Sequence, residues 1–347
     1  MTLKRIIING RFLTHRITGV ERYAREICAE LDKLIKPGEL VMAIPPETEN
    51  IPGYKNIKVV RIGKLHNRMW EHISFPNYVN SQKAISLNLC NVAPLPDPGI
   101  VCIHDVKIKA RPHDFSKKFL TWYNLLFFNE CKRAKAIITV SEFSKHEIMK
   151  YYHVHAEKIT VIPNAWQHYL NVGYDERTLA KYGLQKDDYF FSMCSLEPNK
   201  NFKWIAEEAK KNPDKTFVVA GSINRTVFAN GMGFECPNNM KLIGYVEDEE
   251  AKTLMRDCKA FLFPTFYEGF GIPPLEAFAA GCKCVYVSDT EVMHEVFGNS
   301  VQYIDPSKYD YPLDNLHYPE QNDVKVMLDK YTWEKNAKKL KKVLSNI

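Results

Sequence analysis

AFLFPTFYEGFGIPPLEAFAAG, residues 260–281, decides how this chain folds. Ala260–Pro264 is an apolar run of strand length. A loop with two glycines follows. Pro273 and Pro274 fall where proline suits the first turn of a helix, and Gly281 falls where glycine suits the end of one. The expectation is strand, glycine-bearing loop, short helix, stop. Gly269 and Gly271 lack a Cβ and let a ligand come close to the backbone. The helix would aim N–H groups and its positive dipole end at that loop, which suits phosphate. Glu268 before the loop and Glu276 within the helix can each accept two hydroxyl donors, as a vicinal diol of a sugar or ribose presents them. A diphosphate flanked by two sugars needs this order of acid, anion cradle and acid. Taken alone, such a turn also occurs for packing, and two glutamates at this spacing arise by chance.

Working outward, the rest of the chain repeats the strand-then-helix scheme. In the first half strands are expected at Arg5–Asn9, Leu40–Ile44, Ile57–Ile62, Ile85–Leu89, Ile100–His104, Ala136–Ser141 and Ile159–Ile162. Amphipathic helices are expected at Gly19–Leu34, Lys117–Ala134 and Glu142–Tyr152. In the second half strands are expected at Tyr189–Cys194, Thr216–Ala220, Met240–Ile243, Ala260–Pro264, Cys284–Ser288 and Val301–Ile304. This alternation gives an α/β fold of two doubly wound, mainly parallel sheets. The expected domains are 1–165 and 166–330, with Pro163, Asn164 and the polar Gly173–Asp188 as the junction. Ligands of such folds sit beyond the carboxyl ends of the strands, and two facing domains would offer the crevice between them. Residues 331–347 form a basic amphipathic helix with Trp333, Ala337, Leu340, Val343 and Leu344 on one face, a pattern that more often packs on the protein than on a membrane.

A length of 347 residues, 45% of them hydrophobic, suits two cores. The start, MTLKRIIING, runs directly into a strand pattern without the features of a signal peptide, and no run of 18 apolar residues occurs. A cytoplasmic, soluble protein is expected. The nine cysteines are scattered, Cys282 and Cys284 have no second pair with zinc-ligand spacing, and buried reduced thiols are expected. The net charge of +6 is uneven: residues 1–165 hold 25 Lys and Arg against 15 Asp and Glu, whereas residues 166–347 hold 22 against 26. A basic first half suits an anionic partner. No motif for nucleic acid accompanies the charge.

The segment Glu268–Glu276, EGFGIPPLE, resembles the signature of the retaining GT-B glycosyltransferases of family 4, and the resemblance extends along nearly the whole chain. Gly10–Phe12 and Arg16–Tyr23 resemble the family's first glycine loop and helix. Val101–Asp105 resembles its strand ending in His-Asp, and Thr139–Ser144 and Val161–Ala165 resemble the segments that lead to the domain junction. Ser195–Asn201 resembles the phosphate-binding loop of the second domain, and Gly244–Val246 the segment over the base.

The resemblance implies two Rossmann-like domains facing across a cleft, with the acceptor on the first and a nucleotide-diphosphate sugar on the second. It implies that Glu276 holds the ribose hydroxyls and that Glu268 contacts the donor sugar. Gly269, Phe270, Gly271 and Ile272 would line the sugar and phosphates, and Val246 would meet the base through its backbone. Gly19 would approach the phosphates and His104 the sugar or the reacting centre, although a lone strand-end histidine is more often structural. Lys200 would neutralise charge building on the leaving diphosphate. The anomeric configuration would be retained without a dedicated carboxylate nucleophile, positioning carrying the catalysis. No Asp-x-Asp pair occurs, which agrees with an enzyme that needs no metal or other cofactor. Mannose or rhamnose is the favoured donor sugar, ahead of glucose or N-acetylhexosamine.

Three positions depart from the family pattern. Glu21 stands in place of a small residue, Asn199 in place of an arginine before Lys200, and Ala165 in place of a glycine. Glu21 would then sit near a phosphate or face solvent, and Asn199 would leave Lys200 as the one assured cation of the cradle. The basic, aromatic-bearing stretches Lys55–Trp70 and Lys117–Lys135 offer contacts to anionic lipid, consistent with a peripheral enzyme at the inner membrane face that builds a surface polysaccharide on a saccharide or lipid-linked acceptor. The aromatic stripe of the second also reads as core. Two other functions stay open at this level: an epimerase or isomerase of nucleotide sugars on the same fold, and a non-catalytic subunit that binds the sugar nucleotide.

Overall fold

The structure, a computed structural model, describes residues 5–193, 197–221 and 236–347. It divides into two compact units, residues 1–164 together with 331–347, and residues 165–330. Gly173–Asp188, expected as part of a junction, lies within the second unit and carries the short helix Thr178–Tyr182.

In the first unit the strands are β1 (Ile6–Asn9), β2 (Leu40–Ile44), β3 (Lys58–Arg61), β4 (Ile85–Asn88), β5 (Ile100–Cys102), β6 (Ala136–Thr139) and β7 (Ile159–Val161). They form one sheet in the order β3-β2-β1-β4-β5-β6-β7 with every pairing parallel. Strand β1 is an interior strand, with Ile7 opposite Val41 on one side and Ser86 on the other. Ile6, Ile7 and Ile8 are all buried, as expected of a strand covered on both faces; the edge strand β3 begins and ends on exposed Lys58 and Arg61. Helix Gly19–Leu34 forms over the expected residues.

In the second unit the strands are β8 (Tyr189–Met193), β9 (Thr216–Ala220), β10 (Met240–Gly244), β11 (Ala260–Phe263), β12 (Val285–Ser288) and β13 (Gln302–Ile304). Their order, β10-β9-β8-β11-β12-β13, is again wholly parallel and repeats the doubly wound pattern. Phe190, Trp204, Phe217, Leu262 and Tyr286 fill its core. In both sheets the order reverses beside the first strand, between β1 and β4 and between β8 and β11. The loops leaving those strands are therefore where ligands are expected.

All the expected strands form, most with an end trimmed by a residue or two; β10 runs one residue further, to Gly244, and Cys194 lies outside the described residues. Strand β5 shows why. Ile103 N–H still bonds to Ile138 O, but the amide of His104 donates to the Asn91 side chain instead, so the ladder stops short of His104. One long helical stretch was not legible: Asn67–Met69, a π-helical turn at Trp70–Ser74, then Phe75–Ser81. The C-terminal helix Trp333–Ser345 belongs to the first unit and packs on helix Gly19–Leu34. Trp333 meets Tyr23 edge-on at 5.9 Å, and Lys341 donates to the carbonyl of Leu34, the last residue of that helix.

Candidate functional site

At the switch point of the second sheet, two loops are clamped together. After β8 the chain makes a 3-10 turn, Pro198–Lys200, and Asn201 takes a left-handed conformation (φ 54°, ψ 45°) to open helix Phe202–Lys211. Asn201 Nδ2 donates to Pro264 O (2.9 Å) and to Pro306 O (2.8 Å). Asn199, only 2% exposed, donates through its side-chain amide to Tyr267 O at 3.2 Å, and its backbone carbonyl accepts from Phe266 N–H at 2.8 Å. Asn199 thus joins the Lys200 loop to the loop after β11. The side-chain amide supplies one of these bonds and the main chain the other.

The clamp brings together two residues 68 apart in sequence: Lys200 Nζ lies 2.7 Å from Glu268 Oε1. Their side chains are 22% and 14% exposed, so the pair is sheltered yet reachable. The segment that follows obeys the expected plan. Gly271 (φ +93°) starts helix Ile272–Ala280, and Gly281 (φ +99°) ends it. A Cβ on Gly271 would also stand 3.0 Å from Met293 Cε, so this glycine answers to backbone conformation and packing as well as to ligand access. Pro273 and Pro274 have no N–H to offer a phosphate. The amides of Gly271 and Ile272 and the dipole remain for that purpose. Phe270 and Ile272 are themselves buried.

Glu276 faces a partner that no local sequence pattern announces. His168 Nε2 lies 2.8 Å from Glu276 Oε1, with side-chain exposures of 3% and 8%. His168 sits in the turn Gln167–Asn171, 108 residues upstream. Nothing local in sequence links the two. Val246 is buried beyond the end of β10, after Gly244, whose φ is +76°. Glu247–Glu250 opens helix Asp248–Asp257 with a capping box, as the acidic run suggests. Ser195 and Leu196 of the expected phosphate loop lie outside the described residues.

The first sheet has its own pocket at its switch point, with a cavity of about 280 Å³. Gly10 turns the chain out of β1 where a Cβ would collide with Ala43 O at 2.7 Å. Asn9 at the end of β1 donates to Asn88 Oδ1 (3.1 Å) on β4 and to Glu71 Oε1 (3.0 Å), and Arg11 Nη1 donates to Glu71 Oε2 (2.7 Å). Glu71 and His72 are delivered by the π-helical turn, a distortion frequent at functional sites. Burial pushes the Glu71 carboxyl above its ordinary range, against the opposing pull of Arg11 and Asn9. Arg11 Nε and both ring nitrogens of His72 are buried without a hydrogen-bond partner. A built polar site with unspent donors is a place for a ligand.

Of the residues expected in the first domain, Gly19 opens its helix beside this pocket, and Glu21 is the correction. Its carboxylate does not face solvent: the residue is buried and lines the pocket. It accepts from Thr18 in a capping box and pairs with His15 Nδ1 at 3.1 Å. Burial opposes its ionisation, but the hydrogen bonds from His15 and Thr18 prevail and hold its carboxyl below the ordinary range. His104 is buried at the end of β5, edge-on to Tyr23 at 4.9 Å, with Nε2 2.9 Å from Leu89 O. Burial, against the raising effects of the Leu89 carbonyl, Asp105 and Glu21, keeps its pKa below the ordinary histidine value. The ring is neutral at pH 7. Since a carbonyl can only accept, Nε2 carries the proton and Nδ1 the lone pair.

The cysteines among the described residues are all free thiols, most of them buried. No helix among the described residues is long and apolar enough to cross a membrane, and no group of three metal-binding side chains occurs among them.

Two family models match this chain: Glycosyltransferase Family 4 over residues 17–166 and Glycosyl transferases group 1 over residues 175–310. The O-antigen chain mannosyltransferase RfbU of Salmonella typhimurium is 30% identical over 210 residues, which cover 59% of this chain and 56% of that protein. The O-antigen chain mannosyltransferase B of Escherichia coli is 27% identical over 232 residues, covering 61% and 58%. The match thus spans a little over half the length of these curated relatives. Among solved structures, sucrose-phosphate synthase of Thermosynechococcus elongatus superposes with a TM-score of 0.74 at 12% identity, covering 98% of each chain. HepE of Anabaena, in complex with UDP-glucose, gives 0.69 at 13%, covering 99% of this chain and 100% of that one. At such identities the likeness is one of fold, that of the two-domain GT-B glycosyltransferases.

Proposed function

We propose that this chain, which belongs to the glycosyltransferases of family 4, transfers a hexose from a nucleotide-diphosphate sugar to a saccharide or lipid-linked saccharide of a surface polysaccharide, with retention at the anomeric carbon. The observation that carries the proposal is the Lys200–Glu268 pair at the switch point of the second sheet. A cation and a carboxylate held 2.7 Å apart, both partly reachable, suit a site that must meet a diphosphate and a sugar side by side.

On this reading donor phosphate oxygens take the place of Glu268 at Lys200. Glu268 turns its acceptors to hydroxyls of the transferred sugar, while Lys200 neutralises the charge that grows on the departing diphosphate. The Gly271 and Ile272 amides add donors at the helix N-terminus. Glu276 accepts from the ribose hydroxyls with one oxygen while His168 holds the other, fixing the carboxylate's direction. His104 presents Nδ1 as an acceptor for a hydroxyl of the sugar. No metal or organic cofactor takes part. The names of the two O-antigen relatives favour mannose.

Thermal-shift titration with UDP, GDP, dTDP and their sugars should show selective stabilisation by one base. Transfer from the stabilising sugar nucleotide should continue in excess EDTA. Lys200→Ala should lower kcat by about 100- to 1000-fold, the usual cost of one electrostatic donor to a leaving oxyanion. An epimer formed from the donor in the absence of acceptor, or a turnover unchanged by Glu268→Ala, would refute the proposal.

A further inference from the structure

Residues 166–174, at the start of the second unit, are tied to two of its helices, Asp248–Asp257 and Ile272–Ala280. Trp166 Nε1 anchors the near end by donating to Leu328 O at 2.9 Å. His168 then reaches Glu276, and the Tyr174 hydroxyl donates to Ala280 O at 3.1 Å. Glu276 and Ala280 lie one turn apart on the same helix, so the segment grips that helix at its carboxylate and at its last residue. Lys252, on the other helix, supplies the middle tie. Its Nζ donates to Tyr169 O and to Val172 O, each at 2.6 Å, at the end of the turn Gln167–Asn171. The same ammonium stands 4.5 Å from the centre of the Tyr174 ring, with Arg256 Cζ 4.3 Å from that ring.

Lys252 is only 6% exposed, and no carboxylate pairs with it among the described residues. Burial pushes its pKa below the ordinary lysine value. A buried cation without a counter-ion is costly, and an apolar side chain would pack the same space at lower cost. What an ammonium adds is several donors on one atom, enough to hold two carbonyls at once. Both carbonyls belong to the turn that carries His168 or to the residue just after it. A carboxylate held by a single hydrogen bond can swing about that bond. It keeps one direction only if the donor is itself immobile.

We propose that Lys252 and Tyr174 are positioning residues of the donor site: they fix the turn Gln167–Asn171, so that His168 holds Glu276 Oε1 and leaves Oε2 to the ribose hydroxyls of a nucleoside diphosphate. The proposal rests on the reading of Glu276 as the ribose carboxylate. It adds the residues that act on Glu276 through His168 without touching the nucleotide.

UDP and GDP, each beside its 2′,3′-dideoxy form, test this by calorimetric titration of the full chain. With whichever base binds, His168→Ala should weaken the ribonucleotide about tenfold and Lys252→Met about fivefold. Neither change should alter affinity for the dideoxy form, which has no hydroxyls for Glu276 to accept. The double variant should be no weaker than His168→Ala alone, because Lys252 acts through His168. Tyr174→Phe removes one hydroxyl at a half-exposed position and serves if Lys252→Met fails to fold; it should weaken the ribonucleotide about two- to threefold and leave the dideoxy form unaffected. Equal losses for both forms of the nucleotide would reduce Lys252 and Tyr174 to general supports of the fold and overturn the proposal. Additive losses in the double variant would overturn it too. Failure of the underlying reading shows separately: wild-type protein that binds ribo and dideoxy forms equally would refute the ribose role of Glu276 itself, and wild-type protein that binds neither base would refute the nucleotide-sugar donor.

Discussion

At the scale of single residues, the second-sheet site depends on polar side chains whose first task is to hold loops. Asn199 is the clearest case: its side-chain amide donates to Tyr267 O in the other loop, beside the bond its backbone carbonyl accepts from Phe266 N–H, and removing the amide takes away the first of these ties. Asn199→Ala should lower unfolding free energy by about 1–3 kcal/mol in urea melts, the range for losing a buried hydrogen bond, and should lower kcat by loosening Lys200. His104 carries a pH signature. Its folded pKa lies below its unfolded value of about 6.5, so above that value the ring is neutral in both states. As pH falls through the unfolded value, the unfolded chain takes up a proton that the fold refuses, and stability declines until the folded pKa is reached. The drop in melting temperature between pH 7.5 and 5.5 should therefore be smaller in His104→Gln than in the wild type. Glu268, Glu276, Lys200 and His104 were all legible as residues of interest. Their partners were not: His168 lies 108 positions from Glu276, and Glu71 lies 60 from Arg11, distances across which sequence carries no local pattern.

At the scale of elements, legibility followed periodicity. Buried parallel strands such as Ile6–Asn9 and Ala260–Phe263 announce themselves as apolar runs, and helix Gly19–Leu34 carries its own capping box. The stretch Asn67–Ser81 did not, because its π turn widens the spacing of the core side chains. Trp70, Phe75 and Val79 are buried at intervals of five and four, which fits neither a regular helix nor a strand. The same irregularity turns Glu71 and His72 toward the first-sheet pocket. Glycine at the loop-to-helix turn of the second unit is a sharper test of local geometry. Gly271→Ala forces a Cβ into a left-handed residue (φ +93°) against Met293 and should cost about 1–2 kcal/mol, read from the urea midpoint.

At the scale of the whole molecule, the two doubly wound sheets were legible from the alternation of strands and helices, and the return of the last helix to the first unit was not. An amphipathic pattern states that a helix has a face to bury and leaves the partner unnamed. Here the partner is helix Gly19–Leu34, more than 300 residues earlier. Deleting residues 331–347 should expose Tyr23 and its neighbours and lower the melting of the first unit, while calorimetry still resolves the transition of the second. The same feature sets an order of assembly. On the ribosome, the stretch 165–330 is synthesised in full before residues 331–347 exist. The half of the protein made first therefore matures last, the reverse of the usual N-terminal-first schedule. Nascent chains stalled at residue 330 and fully extruded should hold a protease-resistant second unit beside a first unit that is still cleaved.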